Sequence, residues 1–430
     1  MQACLDATGG EVSARKRAAE LGYAYLSLTE NGRKKFLTIL ATKFSTNREL
    51  INEAMYDLSQ SEGSDSLFLA EQKLRDSLEA PRIILLKQFN GLPEGVKFLV
   101  DIRKELISWA KDEIMLKGLA SDLKALLTSW CDVGFLELKQ ITWYAPAALL
   151  EKLIAYEAVH EIKGWDDLKN RLASDRRCFA YFHPRMPNEP LIFVWVALVN
   201  GIADNVHVLL DQDAPLGNPE MADSAIFYSI SNAQAGLNGI NFGNFLIKRV
   251  VDSLSRELPN IQNFATLSPI PGFNQWLSHR LTDEPFKLLE SEQSDMLMST
   301  TNMESPSVAL KYLLGQDKWY KDPVISNVLR EPLLSLCTHY ILLEKRAEGT
   351  AADSVAHFHL NNGARVEKLN WLADLSVRGL HQSNGIMLNY LYDLKGARVG
   401  YAHVVDVVPW QLRSLSTAFP LLLGFLSWFC

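Results

Sequence analysis

A helical N-terminal domain followed by an α/β domain with a mixed sheet is the fold class this sequence predicts, and three observations carry it. Apolar stripes at helical spacing follow one another from about residue 11 to residue 130, with few strand signals between them. From Phe135 the texture changes to β-branched and aromatic runs set between helices. Within that second half, residues 223–273 pack a strand, a glycine-bearing loop, a helix and a second strand into one short unit. A chain of 430 residues is long enough for two such domains, each with its own core.

In chain order, Thr46 and Glu49 have the spacing of a capping box, and Ile51, Ala54, Met55 and Leu58 continue one face of a helix. Leu67 to Leu78 forms the next, and Pro81 interrupts. Phe98, Leu99, Ile102, Leu106 and Trp109 then make a 3.6-period stripe, and Leu119, Leu123, Leu126, Leu127 and Trp130 make another. These stripes read as the core of an all-α bundle, placed at residues 1–135, and nothing on them suggests a cofactor. The α/β domain is placed at residues 136–430. Its first strands, 178–183 and 191–199, read as a hairpin turning through Pro187-Asn188-Glu189-Pro190. Ala225 to Ser231 is a buried strand, and Gly236, Gly239 and Gly243 punctuate the loop after it. Phe245, Leu246, Val250, Val251 and Leu254 lie along one side of a helix, and a second strand ends near Ser268. A helical tract over about 283–346 and a mixed segment around HFHLNNGARVEKLNWLADLSVRG complete the order.

The net charge of −7 argues against a nucleic-acid or anionic-membrane partner, so an anionic ligand would be met by a local pocket. Five cysteines lie far apart with no spacing that suits zinc, and read as reduced thiols in a cytoplasm-like compartment. The N-terminus lacks the apolar core of a secretory signal, and its acidic residues count against an organelle transit peptide; a cytoplasmic protein is expected. The apolar run Ala418 to Cys430 is too short to span a bilayer.

Three motifs carry candidate chemistry. The loop Gln234-Ala235-Gly236-Leu237-Asn238-Gly239 precedes a helix, so its N–H groups could converge on a pyrophosphate; equally, its glycines could serve only a tight turn. It is neither a P-loop nor a GxGxxG fingerprint. Ser268 stands before Pro269-Ile270-Pro271-Gly272, where two prolines stiffen the backbone and deny it further sheet pairing. That suits a fixed ligand contact, or a capping serine. His357 and His359, read on a strand, would share one side with Phe358 opposite; with no third ligand nearby, an acid or hydrogen-bond donor fits better than a metal site. Asn361, Asn362, Asn370, Asp374, Asn389, Tyr390 and Tyr392 offer a polar and aromatic lining. Lys248-Arg249 reads as a solvated helix face.

The blocks FYSISNAQAGLNGINFGNFLIKRVV, TLSPIPGFNQWL and FHLNNGARVEKLNWLADLSVRG together resemble the signature blocks of malonyl-CoA decarboxylase. Upstream, WCDVGFLELKQITWYAPAALLEKL, AVHEIKGWDDLKNRL and RRCFAYFHP resemble the same family, so the likeness runs from about residue 20 to Tyr392. It implies a helical oligomerisation domain, a homotetramer, and a catalytic domain of the GNAT acyltransferase type whose loop at Gln234, Gly236, Asn238 and Gly239 cradles the coenzyme A pyrophosphate. The family's catalytic serine and histidine fall on Ser268 and His359, and site-lining groups fall on Ser229 and Tyr392. Asn241 stands in the loop where animal members have a glutamate, so a carboxylate relay through that substrate-side position is not expected. The apolar end, residues 397–430, departs from the polar helix with which members usually finish.

Malonyl-CoA is the substrate the resemblance implies, with acetyl-CoA and CO2 as products. The thioester carbonyl takes up the electrons of the broken C–C bond as an enolate, so no metal or organic cofactor is expected. Ser268 is expected to bond the malonyl carboxylate or thioester, and His359 to position the carboxylate and supply the proton, an ordinary histidine of pKa about 6.5 having both protonation states in reach. Two other readings use the same chain: a GNAT-type N-acyltransferase, and an inactive oligomeric scaffold.

Overall fold

The computed structural model describes residues 1–5, 10–111, 113–240, 246–283 and 286–392. Its first half is helical: Gly10–Leu26, Glu30–Lys43, Arg48–Gln60, Ser64–Leu78, Pro81–Asn90, Gly95–Trp109 and Ile114–Trp130. The last two pack on each other through the stripes read from sequence, burying Leu99, Ile102 and Leu106 on one and Leu119, Leu123 and Leu127 on the other. One cap differs from expectation. Asn47, not Thr46, begins its helix, its side chain accepting the Glu49 N–H, so the helix starts one residue later than the capping box implied. Pro81 opens the helix Pro81–Asn90 at its first turn, where a missing N–H costs nothing.

After a single 3-10 turn at Val133–Phe135 the strands begin: β1 (Glu137–Ile141), β2 (Arg176–His183), β3 (Met186–Val199), β4 (Ser224–Asn232), β5 (Asn263–Thr266), β6 (Ser268–Pro269), β7 (Ala364–Asn370) and β8 (Met387–Tyr392). They form one sheet in the order β1-β2-β3-β4-β5-β8-β6, with β7 also paired to β8. Among the described strands only β4 and β5 run parallel, joined across the amphipathic helix Leu246–Glu257. This is the mixed sheet of the expected class. On β3, Ile192, Val194, Val196 and Leu198 face the core shared with the N-terminal helices, while Phe193, Trp195 and Ala197 face a second core under the helix Ala147–Tyr156. Full burial of both faces explains why β3 reads as an unbroken apolar run.

Three local readings are corrected. The β2–β3 hairpin turns at Pro184-Arg185, and Pro187 to Glu189 instead bulge out of β3 between the pairs His183–Met186 and Phe182–Pro190. Pro269 does not end sheet pairing: it continues opposite Met387 at the sheet edge, where a missing N–H is tolerated. The HFHL segment is the helix Ser354–Asn361, not a strand, because Asp353 caps it by accepting the N–H groups of Val355 and Ala356.

Candidate active site

The sheet itself opens the site. β4 and β5 are paired as far as Phe227 and Thr266, and Leu267 N–H still reaches the Phe227 carbonyl; beyond this, β6 leaves β4 and pairs with β8. At the parting, β4 carries a bulge at Tyr228, between the pairs Val196–Phe227 and Trp195–Ser229. Bulges re-aim side chains, and this one turns Ser229 into the gap. The resulting cleft, of about 410 Å³, has Ser229 and Ile230 on the β4 wall and Ser268 and Pro269 on the β6 wall. The helix Ser354–Asn361 closes it with His359, and Arg346 supplies a cationic group at its margin.

Four side chains are linked across the β6 wall. His359 Nε2 lies 3.2 Å from Ser268 Oγ, and its Nδ1 lies 2.8 Å from the Tyr392 hydroxyl. Ser268 Oγ–H donates to Thr266 Oγ1 at 2.9 Å, and Thr266 Oγ1 also accepts the Tyr390 N–H. With the Ser268 hydrogen directed to Thr266, one tautomer follows. An oxygen whose one proton goes to Thr266 can only accept from His359, so the imidazole carries its hydrogen on Nε2 and presents a lone pair at Nδ1 to the Tyr392 O–H. The ring is stacked on Tyr390, with centroids 4.5 Å apart. Burial pushes His359 down to about 3 and pushes the Tyr392 phenol well above its ordinary value, so both are neutral near pH 7. A histidine with both protonation states in reach is therefore not what the fold provides.

Ser229 is held from the other side. Its hydroxyl donates to Glu157 Oε1 at 2.7 Å, and Glu157 also accepts the N–H groups of Val159 and His160 and the Trp195 indole N–H. With its proton committed to Glu157, Ser229 offers the cleft a lone pair. Glu157 and Thr266 were not anticipated: each acts through another residue, and only the bulge and the strand register bring them to it.

The other anticipated residues divide. Gln234 is buried and donates to Glu189 and to the Pro190 carbonyl, steadying the β3 bulge. Gly236 packs on the helix Gly95–Trp109 so closely that a Cβ would sit 1.9 Å from the Val100 carbonyl oxygen. Arg103 of that helix donates to the carbonyls of Gly236 and Asn238. Gly239 takes φ +79°, with Lys124 Nζ 3.3 Å from where its Cβ would be. The loop is thus a joint between the two halves of the chain, and its outer end meets a lysine. Asn361 borders the cleft, whereas Asn370 and Asn389 bond each other inside the sheet. Asp374 lies elsewhere, near His207. His357, two helical positions from His359, also borders the cleft, where it bonds Asn361 and not the Ser268 set. Asn241, Gly243, Phe245 and the segment 397–430 lie outside the described residues.

Known proteins resemble this chain over most of its length. The family model of the malonyl-CoA decarboxylase C-terminal domain matches residues 134–404, and that of the N-terminal domain matches residues 44–131. The mitochondrial malonyl-CoA decarboxylase of Anser anser anser is 36% identical over 397 residues, covering 89% of this chain and 79% of its own. That of Mus musculus is 37% identical, covering 76% and 69%. The crystal structure of malonyl-CoA decarboxylase from Rhodopseudomonas palustris superposes with a TM-score of 0.84 at 38% identity, over 94% of this chain and 97% of that one. The structure from Agrobacterium vitis gives 0.85 at 36% identity, over 95% and 98%. With both halves matched and the similarity sustained from helical bundle to cleft, this chain belongs to the malonyl-CoA decarboxylase family of carboxy-lyases.

Proposed function

We propose that this chain converts malonyl-CoA to acetyl-CoA and CO2 in the cleft between β4 and β6, with Ser268 and His359 as its catalytic pair. The observation that carries the reading is the linked set Tyr392, His359 and Ser268, which ends at the cleft wall opposite Ser229. Cleavage of the C–C bond leaves an enolate that needs a proton at carbon. Ser268 gives its hydrogen to that carbon as His359 replaces it from Nε2 and takes the Tyr392 hydrogen at Nδ1; solvent then reprotonates the phenol, and the imidazole hydrogen returns to Nε2 and the Ser268 hydrogen to Thr266 before the next turnover. The bonds balance, because one proton is consumed for each CO2 released. No imidazolium is required, in keeping with a histidine that burial holds neutral. The thioester carbonyl is the electron sink, so the reaction needs no added cofactor.

The coenzyme A moiety lies, in this reading, along the β4 wall towards Gly239. Lys124 supports it as a phosphate partner, whereas buried Gln234 and Gly236 serve the joint and not the ligand. Self-association as a tetramer is supported by the hairpin of helices Arg48–Gln60 and Ser64–Leu78. These two pack chiefly on each other and expose Tyr56, Phe68 and Leu69, each more than 60% accessible. A reducing setting is supported by Cys4, Cys131, Cys178 and Cys337, all free and buried, and cytoplasm and mitochondrial matrix fit it equally; the described residues contain no helix long and apolar enough to cross a membrane. The test is incubation of pure protein with malonyl-CoA and no acyl acceptor, following CO2 and acetyl-CoA. Equal release of both is expected. An acceptor requirement would indicate an acyltransferase, and absence of turnover an inactive scaffold.

A further inference from the structure

The hydroxyl of Thr266 carries an inference that extends the proton route just given and rests on that reading. Thr266 is fully buried at the end of β5, one residue before the sheet parts, and no ligand can reach it. Its Oγ1 accepts the Tyr390 N–H of β8 at 3.1 Å, which occupies one of its two lone pairs and leaves the other free to accept. That lone pair receives the Ser268 O–H at 2.9 Å. The backbone is anchored too, the Thr266 carbonyl accepting from Asn389 Nδ2 at 2.7 Å.

A serine beside a histidine has two opposite uses. When the serine donates to the imidazole, the pair is poised to make a nucleophile that attacks a thioester carbonyl and ends in hydrolysis. With the imidazole as donor to the serine, the hydroxyl is a proton carrier and the oxygen stays unactivated. The two arrangements share the same atoms and distances and differ in where the hydrogens lie. What decides between them is whether the Ser268 hydrogen has an acceptor other than His359.

We propose that Thr266 is a positioning residue that sets the polarity of the Tyr392–His359–Ser268 chain, keeping Ser268 a proton donor to the enolate and preventing it from acting as an acyl nucleophile. Removing the Thr266 hydroxyl leaves the Ser268 O–H one neighbour, His359 Nε2. The imidazole then takes its hydrogen on Nδ1 and donates to Tyr392, so every hydrogen in the chain reverses. The altered pair can attack the thioester: the Ser268 Oγ–C bond forms as the C–S bond breaks, coenzyme A leaves with the serine proton through His359, and water later cleaves the acyl ester.

The experiment compares wild type, Thr266→Val and Thr266→Ser, each labelled with 15N-histidine and with His359→Asn used to assign the signal. Two readouts need no turnover: the His359 tautomer, and covalent labelling by a fluorophosphonate, with Ser268→Ala as the blank. Wild type is expected to show the Nε2–H tautomer and to resist labelling. Thr266→Val is expected to show Nδ1–H, to label at Ser268 at least tenfold faster, and to lose at least tenfold in kcat for decarboxylation with KM for malonyl-CoA within about twofold. Thr266→Ser, which keeps the hydroxyl, is expected to retain the wild-type tautomer and resistance; it also guards against a Val variant that fails to fold. An Nδ1–H tautomer in wild type, or a folded Thr266→Val with unchanged tautomer and labelling, would overturn the proposal. A wild-type protein that shows the expected tautomer but releases no CO2 would overturn the proposed function and leave the role of Thr266 standing.

Discussion

Burial decides the charge of His359, and that has consequences for pH. With the folded imidazole at about 3 and an unfolded one near 6.5, the histidine is neutral through the physiological range. Decarboxylation is therefore expected to show no acid limb near pH 6.5 from this group, measured as kcat between pH 5 and 9. Stability behaves differently. Below about pH 6.5 the unfolded chain binds a proton that folded His359 refuses, so stability is complete above that pH and falls as pH drops towards 3, by about 1.4 kcal/mol per unit. Burial lowers His160, His183 and His339 as well, adding to the same trend, which denaturant titrations from pH 7.5 to 5 would follow. At this scale Ser268, His359, Ser229 and Tyr392 were legible because they stand in recognisable blocks. Glu157 and Thr266 were not, since a hydroxyl or carboxylate that orients another side chain has no spacing of its own. The expected titrating histidine failed for a related reason: a pKa is set by surroundings that local sequence does not show.

Among the elements, the helix Ser354–Asn361 and the loop at Gly236 do most to place the site. The sequence HFHL alternates, and alternation favours a strand; what makes it a helix is Asp353, whose carboxylate closes the first turn while also accepting from Gly272 N–H next to β6. One residue thus starts the histidine's helix and ties it to the serine's strand. Asp353→Ala is expected to cost about 1–2 kcal/mol, and Asp353→Asn to recover most of it, read by denaturant unfolding. Gly236 has a different constraint. Its neighbour is the backbone of Val100, which has no rotamer to move, so Gly236→Ala is expected to cost about 1–3 kcal/mol or more by overpacking. A purely ligand-binding glycine would lose affinity for coenzyme A without that loss of stability. The sequence left open whether this loop was a cradle or a turn; the requirement for glycine at 236 comes from a contact with a helix more than a hundred residues away, which no local pattern carries.

For the whole molecule, the two halves predicted from texture are both present, yet they share one apolar core in which Leu99 and Leu106 of the bundle join Val194, Phe227 and Leu237 of the α/β region. Texture reports elements and not the surface between them, so the joint through Arg103, Gly236 and Asn238 was not visible. The same bundle leaves apolar side chains outward on its far hairpin. Phe68→Glu with Leu69→Glu is expected to weaken the proposed self-association, read as a lower mass in light scattering than wild type, at little cost to the fold of the subunit, because neither side chain is in its core. The central claim concerns the cleft, and the most direct measurement is the release of CO2 and acetyl-CoA from malonyl-CoA alone, by wild type and by His359→Ala. Equal amounts of the two products from wild type, and a kcat lower by about 10²–10⁴-fold in the variant with coenzyme A affinity nearly unchanged, are the expected results. A His359→Ala protein that turns over at the wild-type rate, or a wild-type protein that yields no CO2, would contradict the account.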